Sequence, residues 1–183
     1  PSSPIGHDET ANTIKESWGT PEAFNFTIKG HDELISQLEI VDFERGSKLS
    51  GARFSVLRGA GAKLERALIQ WMLDKQIENG YTEIIPPVLI QSSALLGTGQ
   101  LPKFEEDLYK IEGEDLWLSP TAEVQLTNLY QNEILSEKEL PICHTAQTSC
   151  FRKEAGSYGK DMKGLIRLHQ FNKVELVQFV HPD

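Results

Sequence analysis

The sequence predicts an α+β domain in which a mostly antiparallel sheet is flanked by helices, and three observations predict it. One long amphipathic helical run stands near residues 59–80. The last third holds two long strand-like runs joined by a polar, glycine-containing loop. Helical and strand-like segments mix without the strict alternation of a parallel fold.

The elements follow in order. Residues 1–20 are polar, with scattered Pro, Gly and Ser, and read as a linker entering a domain over 21–183. Residues 31–40 suggest a short helix, and 46–59 a turn followed by a strand. In the long run, Leu64, Ala67, Leu68, Trp71 and Met72 make the i, i+3, i+4, i+7, i+8 stripe of a one-sided helix. Trp71 and Met72 are read as core or dimer-interface residues. Gly80 suits the stop, because glycine accepts the left-handed conformation past a helix end. Tyr81 to Ile85 reads as a strand that Pro86 and Pro87 end, since proline donates no ladder hydrogen bond. Residues 91–106 read as a loop after a short helical piece. Leu108 to Ile111 and Leu116 to Leu118 suggest a hairpin, and a helix is expected from Ala122 to Ile134. Strands are expected over Ile142 to Lys153 and Leu165 to Val180.

At 183 residues the chain suits one domain with a sizeable core. A net charge of −9 argues against a surface that coats nucleic acid. Charge is unevenly placed, however. Between Arg152 and Lys173, six cations (Arg152, Lys153, Lys160, Lys163, Arg167, Lys173) face two acids, Glu154 and Asp161. Such a positive island in an acidic chain suits a small polyanion such as a nucleotide triphosphate, or is a solvated basic loop. No run of 18 apolar residues and no basic leader is present, so neither a membrane span nor a signal peptide is expected. Cys143 and Cys150 lie on one expected strand, about 23 Å apart at 3.3 Å per residue and on opposite faces. They suit a reduced, cytoplasmic protein better than a disulfide or a shared metal.

The long final strand carries the chemistry. Its odd positions are Leu165, Arg167, His169, Phe171, Lys173, Glu175 and Val177. They line up a cation, a ring and an acid, each four residues from the next, about 13 Å apart. One face thus offers a guanidinium for phosphate, a ring for base stacking and a carboxylate for an ammonium or hydroxyl. An exposed polar sheet face would show the same pattern. The even positions are more apolar and are expected to pack against helices. Arg152 and Glu154 share one face of the preceding strand, where an arginine fork suits phosphate oxygens and an ion pair is the plain alternative. His169 is expected to be structural.

FRKE at 151–154, the loop, and RLHQFNKVE at 167–175 resemble motif 2 of the class II aminoacyl-tRNA synthetases: an Arg-x-Glu strand, a loop, and a strand carrying Arg or His four residues before Phe. GYTEIIPPVL at 80–89, after the long helix, resembles motif 1, with Pro87 as its characteristic proline. The motifs would cover about 61–89 and 150–178. GTGQLPKF (97–104), TAE (121–123) and FRKEAGSYGKDMKGLIRLHQFNKVE (151–175) resemble bacterial-type seryl-tRNA synthetases in particular, and WGTPEAFNF (18–26) fits that family's entry to the catalytic domain.

The resemblance implies a serine-tRNA ligase that uses ATP and Mg²⁺. Arg152 would bind the α-phosphate as the catalytic arginine, with Lys153 beside it, and Glu154 the adenine amino edge. Arg167 would meet the γ-phosphate, and Phe171 would stack on adenine. Thr121, Ala122 and Glu123, with Glu175, would hold serine. GTGQLPKF would be a flap, with Lys103 and Phe104 as contacts, or an ordinary surface loop. The partners implied are L-serine, ATP, the acceptor end of tRNA(Ser) and a second copy of the chain through motif 1.

Two family parts find no counterpart. No sustained heptads mark a tRNA-gripping helical hairpin. The sequence reaches Asp183 before any motif 3, whose arginine binds ATP in the family. The isolated segment is therefore expected to charge tRNA weakly or not at all. Two other readings stay open: a ligase of the same fold that loads amino acids onto carrier proteins, and a non-catalytic interaction module.

Overall fold

A computed structural model describes residues 5–155 and 163–182. After an extended entry, α1 (His31–Gln37) leads into β1 (Val41–Asp42), α2 (Phe43–Ser50) and β2 (Val56–Leu57). β1 and β2 pair antiparallel. The sequence reading missed α2, taking its glycine and serines for a turn. Asp42 caps the helix by accepting the Arg45 N–H at 2.8 Å. The backbone N–H and guanidinium of Arg45 also hold the Asp42 carboxyl below its ordinary pKa. Gly46 is required there by space, since a Cβ would strike the Phe54 carbonyl.

α3 (Ala60–Glu78) matches the expected long helix, and Gly80 follows at φ +89°. Apart from Met72, its apolar stripe is not the half-buried face. Glu65, Ile69, Met72, Leu73 and Gln76 are half-buried, whereas Leu64, Leu68 and Trp71 stay exposed. Trp71 keeps 64% of its surface. It is therefore no core residue of this chain.

β3 (Thr82–Glu83) is the start of the expected strand, and it pairs parallel, Thr82 opposite His144. β4 (Leu89–Ile90) precedes α4 (Ser92–Gly97), and a 3-10 turn covers Glu105–Asp107. The expected hairpin is present: the Ile111 N–H donates to the Leu116 carbonyl, and the Leu118 N–H to the Tyr109 carbonyl. Its second arm, β5 (Trp117–Leu118), also pairs antiparallel with β4. α5 (Ala122–Asn128) is shorter than the helix read to Ile134. The Asn128 amide closes it by donating to the carbonyls of Val124 (2.8 Å) and Ala94 (3.0 Å).

β6 (Ile142–Phe151) and β7 (Gln170–Phe179) form a ten-rung antiparallel ribbon, and the sheet order is β3-β6-β7. Both strands are shorter than expected at the loop end, where the partners diverge. Cys143 and Cys150 are free thiols on β6, as the strand reading required. Among the described residues no helix is long and apolar enough to cross a membrane.

Two apolar clusters meet at α5. Ile90, Leu95, Leu108, Trp117 and Val124 form one, and Ala122, Leu126 and Ala146 the other, with Ile84 and Val177 against it. Leu95, Leu126 and Val124 are fully buried, each contributing about 1.5–3 kcal/mol. The packing corrects the expected facing of β7. α5 covers the odd-numbered side through Val177 and through Ala146, which lies opposite Glu175 on β6. On the even side, Gln170, Asn172, Leu176 and Gln178 are exposed, though α3 touches it where Asn172 donates to Glu65. The chemistry-bearing side is thus the more covered one.

Candidate active site

The β6–β7 register decides which side chains meet. Cys150 lies opposite Phe171, Thr148 opposite Lys173 and Ala146 opposite Glu175, so even positions of β6 share a face with odd positions of β7. One rung past the ladder, the Arg152 N–H donates to the His169 carbonyl at 2.9 Å. Arg152 therefore joins the odd face of β7, a register the sequence left open. Its guanidinium carbon sits 5.2 Å from the centre of the Phe171 ring, and its Nε donates to the Pro120 carbonyl at 3.2 Å.

Two adjoining cavities of about 370 and 360 Å³ share Arg152, Glu154 and Arg167 as walls. The first is completed by Gln100, Phe104, Asp107, Leu108, Pro120 and Thr121, the second by Phe171 and residues 165, 166 and 168. Glu154 Oε2 meets Arg167 Nη1 at 2.7 Å. Such a charge-assisted pair presents guanidinium donors beside a carboxylate acceptor.

The expected amino-acid end adjoins this space. Thr121, 4% exposed, is the N-cap of α5: its Oγ1 accepts the Glu123 N–H at 3.2 Å and donates to Glu175 Oε2 at 2.7 Å. Glu175 also pairs with Lys173 two residues away on the same face. Burial pushes the Glu175 carboxyl up, but the hydrogen bonds from Lys173 and Thr121 outweigh it, and the pKa lies below its ordinary value. The carboxylate is thus held ionised, ready for a cation or a hydroxyl.

Not every expected residue enters the cleft. Lys153 is exposed, with Nζ 5.5 Å from the Tyr109 ring, and lines neither cavity. Strand alternation explains this, because its neighbours Arg152 and Glu154 point inward. Ala122 is fully buried in the core, so its side chain offers no polar contact to the cleft. Glu123 is exposed. In the 97–104 segment, Phe104 lines the first cavity and Lys103 lies 5.1 Å over the Phe104 ring without lining it. Lys160 and Asp161 of the positive island lie outside the described residues. His169 is structural: its Nδ1 meets the Arg152 carbonyl at 2.9 Å, and its ring packs on Phe54 and Tyr109.

Sequence reading did not single out Asp107, Gln100 or Pro120. Asp107 takes the Lys153 N–H on its carbonyl (2.8 Å) and the Ala155 N–H on Oδ1 (2.7 Å). An acid 46 and 48 residues before the two amides it holds leaves no local signal. Among the described residues, no three His, Cys, Asp or Glu side chains are placed to hold a metal ion.

This architecture, a splayed antiparallel ribbon backed by helices with a cation-lined cleft at its open end, is that of a class II aminoacyl-tRNA synthetase core. The profile of the tRNA synthetase class II core domain (G, H, P, S and T) matches residues 103–183. The serine--tRNA ligase of Halothermothrix orenii is 57% identical over 180 residues, and that of Desulfosudis oleivorans 58% identical over 181. Each alignment covers 98% of this chain and 43% of the relative, so the chain spans less than half the length of these relatives. Among solved structures, the seryl-tRNA synthetase of Pyrococcus horikoshii complexed with ATP superposes with a TM-score of 0.81 at 44% identity, over 85% of this chain and 35% of that one. The cytoplasmic serine-tRNA ligase of Naegleria fowleri in complex with AMP superposes with a TM-score of 0.88 at 30% identity, over 97% of this chain and 42% of that one. The chain belongs to the seryl-tRNA synthetase family and corresponds to part of its catalytic core.

Proposed function

We propose that this chain is the ATP- and serine-binding part of an enzyme that activates L-serine as seryl-adenylate and passes it to the 3′ end of tRNA(Ser). The observation that carries the reading is the shared face: Arg152, Phe171 and Glu175 line one side of the ribbon, and Glu154, Arg167 and Thr121 close the same space. In this reading Arg152 neutralises the α-phosphate, and Phe171 stacks on adenine. Glu154 accepts from the adenine amino group, and Arg167 turns toward the γ-phosphate. Thr121 and Glu175 take the serine ammonium and hydroxyl, with the TAE backbone beside them. Lys153, on the outer side, adds positive field only.

The serine carboxylate attacks the α-phosphorus, and the bond to the pyrophosphate oxygen breaks. No side chain forms a covalent bond. Positioning and neutralisation of spreading negative charge supply the catalysis. The arginine-rich donor set suits phosphates rather than a bare cation, so Mg²⁺ would be held by the ATP phosphates and would supply charge neutralisation there. A hydroxyl bonded at Glu175 and Thr121 separates serine from alanine, because alanine would leave buried polar groups unpaired. The exposed stripe of Leu64, Leu68 and Trp71 on α3 supports assembly as a homodimer through motif 1. The cytoplasm is the proposed location. The isolated 183-residue segment is expected to charge tRNA weakly or not at all.

ATP–pyrophosphate exchange by the full-length protein, with serine, threonine and alanine compared, tests the proposal. Exchange with serine alone is expected. Exchange with none of the three would favour the interaction module, and exchange with serine but transfer only to a carrier protein would favour the other ligase.

A further inference from the structure

The ribbon ends abruptly, and the way it ends identifies a residue outside the cleft. After the rung between Arg152 and His169, neither strand continues the ladder. The Lys153 N–H turns to the Asp107 carbonyl, and the His169 N–H donates to the Arg53 carbonyl at 3.0 Å. Each departing strand is thus captured by a different segment, and the wedge between them holds the Glu154–Arg167 pair. Arg53 touches both sides of that wedge. Its carbonyl holds the β7 side, and its Nη1 donates to the Glu154 carbonyl at 3.3 Å on the β6 side. The Phe54 ring backs the contact, 5.3 Å from His169.

The backbone at both partners is strained. Arg53 and Glu154 have φ of +63° and +52°, the left-handed region that non-glycine residues seldom adopt. Such conformations persist where surrounding contacts over-determine them. The Arg53–Glu154 bond joins these two positions directly, over a sequence separation of 101 residues.

We propose that Arg53 is a positioning residue for nucleotide binding: it braces the open end of the ribbon and sets the Glu154–Arg167 pair across the phosphate and adenine space. The inference rests on the ATP-and-serine reading above and extends it to a residue that lines neither cavity. It acts through Glu154. Serine's residues are anchored separately, Thr121 by α5 and Glu175 by Lys173. Loss of the Arg53 guanidinium therefore separates the two substrates: ATP weakens and serine does not.

The experiment uses the full-length protein with Arg53→Met, which keeps most of the aliphatic stem, and Arg53→Lys. Binding of α,β-methylene ATP is titrated calorimetrically, and serine KM is taken from ATP–pyrophosphate exchange. Arg53→Met is expected to weaken analogue binding about tenfold, the scale of one lost hydrogen bond from a charged donor. Arg53→Lys should recover part of that loss, with serine KM and the thermal midpoint unchanged. Equal analogue affinity in wild type and Arg53→Met would overturn the proposal. So would a matched loss of ATP and serine affinity that follows a fall in the thermal midpoint. If the wild type binds the analogue but exchanges with no amino acid, the serine reading fails while the titration still decides the role of Arg53. If the wild type does not bind the analogue, both fall.

Discussion

Replacing Thr121 with valine removes one hydroxyl and keeps the shape, and that hydroxyl has two jobs. As N-cap it accepts the Glu123 N–H at 3.2 Å, and it donates to Glu175 at 2.7 Å from a residue 4% exposed. Loss of an N-cap costs about 1 kcal/mol. Loss of a hydrogen bond to an ionised group costs about 1.5–3 kcal/mol. Lys173 still pairs with Glu175 in the variant, which places the second cost at the low end. Thr121→Val should therefore destabilise by about 2–3 kcal/mol in urea unfolding, with unchanged denaturant dependence. Thr121→Ser, which keeps both bonds, should stay within about 0.5 kcal/mol of wild type. A double-mutant cycle with Glu175→Gln should return a coupling of about 1 kcal/mol or more, since the two groups touch. A coupling near zero, or a valine variant as stable as wild type, would refute the view that α5 is tied to β7 through this bond.

Three further outcomes are expected. His144 is 6% exposed, shares a 3.0 Å hydrogen bond with the Tyr130 hydroxyl, and has no partner for Nδ1 among the described residues. Burial lowers its pKa from 6.5, so the unfolded chain takes up the proton first. Its contribution is complete above about pH 6.5 and declines as the pH falls toward the folded value; urea midpoints between pH 7 and 5 should fall in wild type and flatten in His144→Phe. If the proposed homodimer forms through α3, Trp71→Glu should place a charge on its exposed stripe and shift sedimentation velocity from dimer toward monomer relative to wild type; an unchanged dimer would remove that stripe from the interface. Gly46→Ala should drive a Cβ into the Phe54 carbonyl, costing about 1–3 kcal/mol, and a thermal midpoint equal to wild type would show that α2 can shift without cost.

What the residues of this chain determine by themselves is local. The 3.6-residue period predicted α3, and Gly80 marked its end, because side-chain direction along a helix is set by the backbone alone. Alternation likewise put Arg167, Phe171 and Glu175 on one side of an expected strand before any partner was known. The helix that Asp42 caps was missed because the packing of Gly46 against Phe54 joins residues eight apart across a turn. The tertiary structure alone decided the rest. Register joined Arg152 to Phe171, since a shift of one residue would have turned every side chain of β6 to the other face. Packing placed α5, not an exposed surface, over the chemical side of β7, and turned the apolar stripe of α3 outward. The splay beyond the Arg152–His169 rung depends on Arg53 and Asp107, which meet the ribbon from distant parts of the chain. A residue's direction is fixed by its neighbours in sequence, whereas the occupant of the space it faces is chosen by loop closure and burial over the whole fold.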